Sequence, residues 1–421
     1  MSTLKVNKLR DTAGSADAIT LDPNGGAVLA GVTTVTSVKV GAAVTISESG
    51  IEASGIGITC ASINGTQIGG RRNIIINGAM NVAQRGTSST TQTYSYVCID
   101  RIRTGTSGTD EGVTIAQADV SSGTTPYTSG FRKCLKITNG NQTSGAGAAD
   151  YIQIDYSVEA QDLANSGWNY TSSSSNITFS FWIKSSVAQA FPYAFQTQDG
   201  TSQIFNSNTP ALTADTWTKV TKTISGNSNI TIDNNNGSGF KIMFFPYLGT
   251  NFTTVGLAED TWSTFTTAKY GAGATTTTWY TTDDATFEIT GVQLEVGSQA
   301  TAFEHRSAGD ELARCKRYYN RFTSGSAYTR FADGQVQSSD QAEFTFQHPV
   351  TMRAAPTYGS GGSLKAWTEN SLKTISSMAL NDPNVNNCTL TATVSGCTRG
   401  YAIDFIANND TTAYIEFISE L

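Results

Sequence analysis

The chain holds only two histidines, His305 and His348, so any Ser-His-Asp or Cys-His site must use one of them. His305 lies in FEHRS and His348 stands before Pro349, with no nucleophile elbow, HExxH, P-loop or GxGxxG around either. Both read as structural residues. Adjacent carboxylates occur at Asp110/Glu111, Glu259/Asp260, Asp283/Asp284 and Asp310/Glu311. Cutting a glycosidic bond needs two carboxyls roughly 5–10 Å apart, usually from different strands, which neighbours in sequence do not establish. Asp283, close to Trp279 and Tyr280 in TTTTWYTTDD, makes the most site-like cluster. Asp310/Glu311 suits a helix N-terminus better. The six cysteines (Cys60, Cys98, Cys134, Cys315, Cys388 and Cys397) include no CxxC pair and no histidine at ligand spacing, which argues against zinc. They read as reduced, buried thiols, with a Cys388–Cys397 pairing across a hairpin left open.

Aromatic residues in polar stretches are the stronger signal. The C–H faces of sugars stack on Trp and Tyr, while Asn, Asp, Gln and Thr bond their hydroxyls. Trp168 and Tyr170 (SGWNYTSSSSN), Trp262 (EDTWSTF), Trp279 and Tyr280, Asp283, Tyr328 and Trp367 (SLKAWTEN) are therefore candidate glycan contacts. Each ring also has the blander option of packing on its own loop. Trp182 and Trp217 fall in strand-like runs and are expected in a core. Asp-rich turns are compatible with calcium, without a ligand set to name.

These residues need a frame, and the composition points to an all-β one. Charged residues make up 14% of the 421, against a usual ~25%, and Thr, Ser, Asn and Gly replace them. The net charge of −7 argues against nonspecific nucleic-acid binding. No 18-residue apolar run predicts a transmembrane helix, and MSTLKVNKLRDTAG lacks the apolar core of a secretion signal. Such a chain is expected either to stay in the cytosol or to leave by cell lysis in a virus particle.

Strand patterns dominate from Asn73 onward. YIQIDYSV (151–158), ITFSFWIKSS (177–186), WTKVTKTI (217–224), FKIMFFPYL (240–248) and TFEITGVQLEVG (286–297) are separated by Gly, Asn, Asp and Ser turns. They predict a jelly-roll β-sandwich over 73–306. Residues 307–320 (SAGDELARCKRYYN) predict a short neck helix, capped by Ser307 and Asp310. AEFTFQH (342–348), CTLTATV (388–394), GYAIDFIA (400–407) and TAYIEFIS (412–419) predict a C-terminal β-sandwich over 321–421, with the chain end tied into a sheet.

The start of the chain differs. No Phe, Tyr or Trp occurs among the first 93 residues, although the chain has 6 Trp, 16 Tyr and 19 Phe. Residues 18–70 are short Val/Ile/Thr runs broken by Gly, with alternation at Val38/Val40, Val44/Ile46 and Ile56/Ile58. A single copy has too little side chain to offset an ordering cost of roughly 1–2 kcal/mol per residue. The expectation is an intertwined trimeric β shaft over 18–72, preceded by a docking segment, 1–17, that carries Leu4, Val6 and Leu9.

The opening MSTLKVNKLRDTAG, the junction NIIINGAMNVAQRGT and the stretch TFEITGVQLEVGSQATAFEHRSAGDELARCKRYYNRF resemble tail fibre (receptor-binding) proteins of tailed bacteriophages, with marine and cyanobacterial phage fibres the nearest in flavour. ITFSFWIKSS and WTKVTKTI match the strands of a carbohydrate-binding-module-like jelly roll in such fibres. The resemblance covers nearly the whole chain and is weakest over 321–421. It implies a non-enzymatic homotrimer in the virion tail, made in the host cytoplasm and attached by its N-terminus to a tail adaptor or nozzle protein. It implies outer domains that contact host lipopolysaccharide or another surface glycan, with no membrane insertion and no nucleic-acid partner. A glycan depolymerase, hydrolase or lyase, and a purely structural spacer fibre are the alternatives.

Overall fold

The computed structural model describes residues 72–90, 93–273 and 275–421 in full, and before them the backbone of eight short strands. The chain divides into two compact units, 1–61 and 62–421. In the first, Lys8–Leu9, Ile19–Leu21 and Ala27–Leu29 form one small antiparallel sheet. Ser37–Val40, Val44–Ser47 and Gly50–Ala53 form a second, with Val38 opposite Ile46 and Val40 opposite Val44. The alternation at Val38/Val40 and Val44/Ile46 thus falls in strands. Ile56 and Ile58, and Leu4 and Val6 of the expected docking piece, lie outside the described residues. Leu9 pairs with Ile19 through the backbone.

The second unit is all-β apart from short helical pieces. Its first part is a sandwich of β1 (Ser88–Ser89), β2 (Arg103–Ser107), β3 (Thr114–Asp119), β4 (Lys133–Thr138), β5 (Tyr151–Glu159), β6 (Asn176–Ser185), β7 (Pro192–Thr197), β8 (Gln203–Asn208), β9 (Thr218–Ser225), β10 (Ser238–Leu248), β11 (Trp262–Thr264) and β12 (Thr286–Val296). One antiparallel sheet runs β2-β5-β10-β7-β8-β11 and the other β9-β6-β12-β4-β3-β1. Alternation sends Phe179, Phe181 and Ile183 of β6 inward, where they meet Tyr193, Phe195 and Phe244 of the facing sheet. Phe179–Phe195 and Phe181–Phe244 pack edge-on with ring centroids 5.0 Å apart.

Strand β12 keeps Phe287, Ile289, Val292 and Leu294 in this core although the spacing breaks between 289 and 292. Its register against β6 slips there, and Gly291 takes φ +64°. The glycine supplies the left-handed residue that a bulge of this kind requires. A Cβ on it would lie 2.7 Å from Phe131 and 3.0 Å from Trp182, so the residue also makes room for two rings.

The outer faces of both sheets are partly covered. Segments around Phe252, Phe265 and Tyr270 lie over Ala194, Ile204, Met243 and Phe245. On the other sheet Phe131 and Cys134 carry Trp182, Trp217 and Phe303. Trp182 and Trp217, expected in a core, pack half-buried on the outside of this sheet, Trp182 because it alternates with Phe181 and Ile183, which face inward.

Helix α1 (Ala308–Lys316) begins at Ser307, whose Oγ accepts from the Asp310 N–H at 3.1 Å and donates to Asp310 Oδ2 at 2.7 Å. Asp310 and Glu311 occupy the first turn and Arg314 and Lys316 the last, matching the helix dipole. Cys315 packs with Ile76 and Tyr318, so the helix is docked on neighbouring structure.

The C-terminal part departs from the two-sheet sandwich expected for 321–421. Strands β14 (Arg330–Ser338), β15 (Gln341–Gln347), β17 (Leu364–Thr368), β18 (Ser371–Asn381), β19 (Asn387–Val394) and β20 (Ala402–Ala407) close into a barrel in the order β14-β15-β19-β18-β17-β20. Beside it β13 (Tyr319–Thr323), β21 (Tyr414–Ile418) and β16 (Thr357–Gly361) form a three-stranded sheet with β21 central. Closure is set by β20, which pairs with both β14 and β17 and so leaves no edge. Phe344, Phe346, Leu390, Val394, Ile403 and Phe405 fill the narrow interior.

Sandwich and C-terminal sheet meet across a dense polar junction. Arg101, 1% exposed and with a left-handed backbone (φ +71°), donates to Glu420 at 2.6 Å and to the Ser157 carbonyl at 2.6 Å. Its guanidinium lies 3.6 Å from the Tyr318 ring centroid. Arg317 and the Tyr318 hydroxyl both donate to the fully buried Glu159, at 2.6 Å each. Arg353 donates to the carbonyls of Asn236, Ser419 and Glu420, and Tyr96 Oη to that of Leu421.

Candidate functional site

The aromatic candidates separate into buried and exposed groups. Trp168 is 3% exposed and donates through Nε1 to the Ser175 carbonyl at 3.2 Å. Together with half-buried Tyr170 and Trp262 it gathers around Phe240, with ring centroids 6.2–6.4 Å apart. Tyr170 Oη donates to the Ile232 carbonyl and Trp262 Nε1 to that of Ser225. These three rings close one end of the core instead of presenting a free platform.

Trp279 and Tyr280 correct the sequence expectation most sharply. Both are completely buried. Trp279 Nε1 donates to the Thr286 carbonyl at 2.9 Å, and Tyr280 stacks on Tyr247 at 4.2 Å. Asn139 holds the loop by donating to the carbonyls of Trp279, Tyr280 and Thr282. The Thr-rich context suggested exposure, but two large rings whose polar tips find backbone or carboxylate acceptors gain more by plugging the sandwich. Asp283 faces solvent next to this plug, so the ring-and-carboxylate cluster expected of TTTTWYTTDD is not assembled.

The other carboxylate pairs have structural work. Asp110 accepts from Ser144 N and Oγ, Glu111 from Asn141 N, Asp260 from Lys222 and Glu311 from Asn77 N. His305 packs between Phe131 and Phe303 and contacts the Ser129 carbonyl at 2.9 Å. His348 lies edge-on to Phe417, and burial pushes its pKa down. Among the described residues no three His, Cys, Asp or Glu side chains group as a metal would need. Cys98, Cys134, Cys315, Cys388 and Cys397 are free, so Cys388 and Cys397 do not pair.

Apart from Tyr94, the exposed aromatic rings among the described residues belong to the C-terminal part. Trp367 is 37% exposed, Tyr328 58% and Tyr401 53%, and Leu372, directly across from Trp367 in the β17–β18 ladder, is 45% exposed. Asp404 flanks Trp367 on the other side, in register, and pairs with Arg330 at 2.8 Å. Lys365, two residues along β17, donates to Thr374. An aromatic and an aliphatic side chain thus sit on a barrel wall among one carboxylate, two cations and several hydroxyls. Sequence reasoning picked out Tyr328 and Trp367 but missed Leu372, which the alternation of β18 turns outward, and Tyr401, which lies just before β20.

Sequence reasoning also missed a cleft of about 470 Å³ lined by Arg85, Tyr94, Ser95, Tyr96, Arg103, Arg321, Tyr414, Glu416 and Ile418. The signal was the gathering of Tyr94, Tyr96 and Arg103 within ten residues. Their partners on β13 and β21 are too distant in sequence to suggest the pairing.

Comparisons with known proteins return distant structural likenesses. No protein-family model matches the chain, and no curated protein sequence does. The enzymatically active domain of tailspike protein 4 of bacteriophage CBA120 is similar at 10% identity and a TM-score of 0.28, over 53% of this chain and 21% of that one. The chain thus spans about a fifth of the tailspike structure. A family 11 carbohydrate-binding module from Clostridium thermocellum, in complex with a mixed-linked tetrasaccharide, is similar at 12% identity and a TM-score of 0.23, over 52% of this chain and 98% of that one. A sugar-binding protein from Bacteroides thetaiotaomicron, described as putative, is similar at 10% identity and a TM-score of 0.26, over 53% and 99%. No helix among the described residues is long and apolar enough to cross a membrane.

Proposed function

We propose that this chain is a receptor-binding fibre of a tailed bacteriophage, a homotrimer joined to the tail by its N-terminal segment, that binds host surface glycan without cleaving it. The observation that carries glycan binding is the barrel wall. Trp367 and Leu372 stand exposed as a cross-strand pair beside Asp404, Arg330 and Lys365. A sugar needs this combination: an apolar surface for its C–H face and donors and acceptors around it. The fibre reading rests on the sequence motifs and on the aromatic-free first 93 residues.

The mechanism is avidity. Three weak sites on one fibre make the second contact effectively intramolecular and raise affinity ~10²–10⁴-fold. Binding to a panel of bacterial lipopolysaccharides tests the reading. Wild type should bind at least one, and Trp367→Ala should lose at least tenfold in affinity with an unchanged melting temperature. Equal binding by that variant overturns the barrel-wall assignment. Release of oligosaccharides during incubation overturns the non-enzymatic reading in favour of a depolymerase, and a monomeric mass by light scattering overturns the fibre.

A further inference from the structure

The cleft at the junction has chemistry unlike that of the barrel wall. The sandwich contributes Arg85, Tyr94, Tyr96 and Arg103, and the C-terminal sheet contributes Arg321, Tyr414 and Glu416. Each guanidinium is laid flat on a ring: Arg103 at 4.0 Å from the Tyr94 centroid, Arg85 at 3.4 Å from Tyr319 and Arg321 at 3.5 Å from Tyr414. Stacking holds a guanidinium's position without using up its in-plane N–H donors.

Those donors are unevenly served. Arg103 has Asp155 at 2.8 Å, and Arg85 has Glu420 at 3.2 Å through Nη2. Arg321 reaches Glu416 only at 4.0 Å, and Glu416 already accepts a hydrogen bond from Tyr319 at 2.5 Å. Arg85 Nη1 and Arg321 Nε are both shielded from solvent and without a hydrogen-bond partner. Their side chains are 11% and 15% exposed. A buried N–H on a cation that lacks an acceptor keeps its desolvation cost uncompensated. The two arginines are neighbours, linked by the Arg321 Nη1 donation to the Arg85 carbonyl at 3.0 Å, and both line the cleft.

We infer that this cleft is a second binding site, which takes an oxyanion-bearing saccharide: Arg85 and Arg321 receive a carboxylate or phosphate, and Tyr94 meets the sugar ring. Planar guanidinium forks match both oxyanions. Tyr94 is 41% exposed and offers ring surface at the cleft's rim. A volume of about 470 Å³ lies within the ~300–1,000 Å³ range of small-ligand sites. The inference does not depend on the barrel-wall reading, since it uses none of the same side chains.

Calorimetric titration of the intact protein with four probes tests it: trigalacturonate, glucose 6-phosphate, inorganic phosphate and neutral maltotriose. At least one of the first three should bind and maltotriose should not, with affinity falling as salt rises. Preference for trigalacturonate assigns the carboxylate source, and preference for either phosphate assigns the other. Arg321→Gln should weaken binding at least tenfold and Arg321→Lys less. Tyr94→Ala, a change at an exposed ring, should weaken the sugar probes but not inorganic phosphate. Run in the Trp367→Ala background, which disables the barrel wall, the same titrations report on the cleft alone, so failure here is distinguishable from failure of the barrel wall. The inference falls if no anion binds at millimolar concentration, if maltotriose binds equally well, or if both Arg321→Gln and Tyr94→Ala bind as wild type.

Discussion

In the sandwich, Trp168, Trp279 and Tyr280 leave polar loops and end inside, whereas in the barrel Trp367 stands on a regular strand and ends outside. Two six-stranded sheets face to face leave open ends, and those ends must be stopped by something large. Loops carrying Trp and Tyr do this, and their N–H and O–H tips bond to nearby carbonyls. A barrel of six strands has no open edge and a bore that Phe344, Phe346 and Phe405 fill. Every second wall residue must then point away, and Trp367 lies between the buried Ala366 and Thr368. The same residue type is architecture in one region and available surface in the other. Local polarity does not separate the two cases.

The widest test of this contrast pairs two tryptophans. Trp279→Ala should cost about 3–5 kcal/mol by emptying a filled site. Trp367→Ala should change stability by no more than about 0.5 kcal/mol. Urea denaturation of both variants checks this, and comparable losses would erase the contrast.

A second test asks whether the two regions unfold as one body. Arg101→Ala leaves Glu420, 5% exposed, buried beside fewer cations, and should cost about 3–5 kcal/mol. Calorimetry should then split one transition into two. The paired variant Arg101→Met with Glu420→Gln should recover most of the loss, because no uncompensated charge stays buried.

The smallest effect is a difference in acid response. Burial raises the pKa of Asp100, in the sandwich, from 3.8 to about 6. The folded sandwich therefore holds a proton that the unfolded chain releases between those values. Its contribution is fully present below pH 3.8 and is lost as pH rises through about 6. This is worth about 3 kcal/mol, and Asp100→Asn should flatten it. Asp410, beside the barrel, is held down to about 2 by hydrogen bonds from the Ser363 N–H and from Thr412. Its contribution is present above 3.8 and is lost as pH falls through about 2. Thermal melts should thus show the midpoint rising from pH 6 to 4 through the sandwich's Asp100 and falling from pH 4 to 2 through Asp410 beside the barrel.

Much of the frame was legible in the sequence. ITFSFWIKSS, FKIMFFPYL, AEFTFQH and CTLTATV fall within one or two residues of β6, β10, β15 and β19, since alternation over a strand is a local property. The Ser307 cap was visible for the same reason, being a bond between residues three apart. The candidate sites were less legible. Tyr328 and Trp367 are exposed as a surface ring must be, but Trp168, Trp279 and Tyr280 are buried, because whether a loop folds over an open core end depends on the core. The cleft escaped notice, since it draws on residues 85–103 and 321–418 at once.

By itself, then, the chain determined its strands, its helix start and the contrast between an aromatic-free beginning and an aromatic-rich remainder. Only the tertiary structure decided that the C-terminal strands close on themselves through β20, that Arg101 sits buried at the junction, and which rings face water. The reason is range. Periodicity and capping act over a few residues, whereas closure, burial and the unpartnered N–H groups of Arg85 and Arg321 arise from groups hundreds of positions apart, brought together by the whole pattern of pairing.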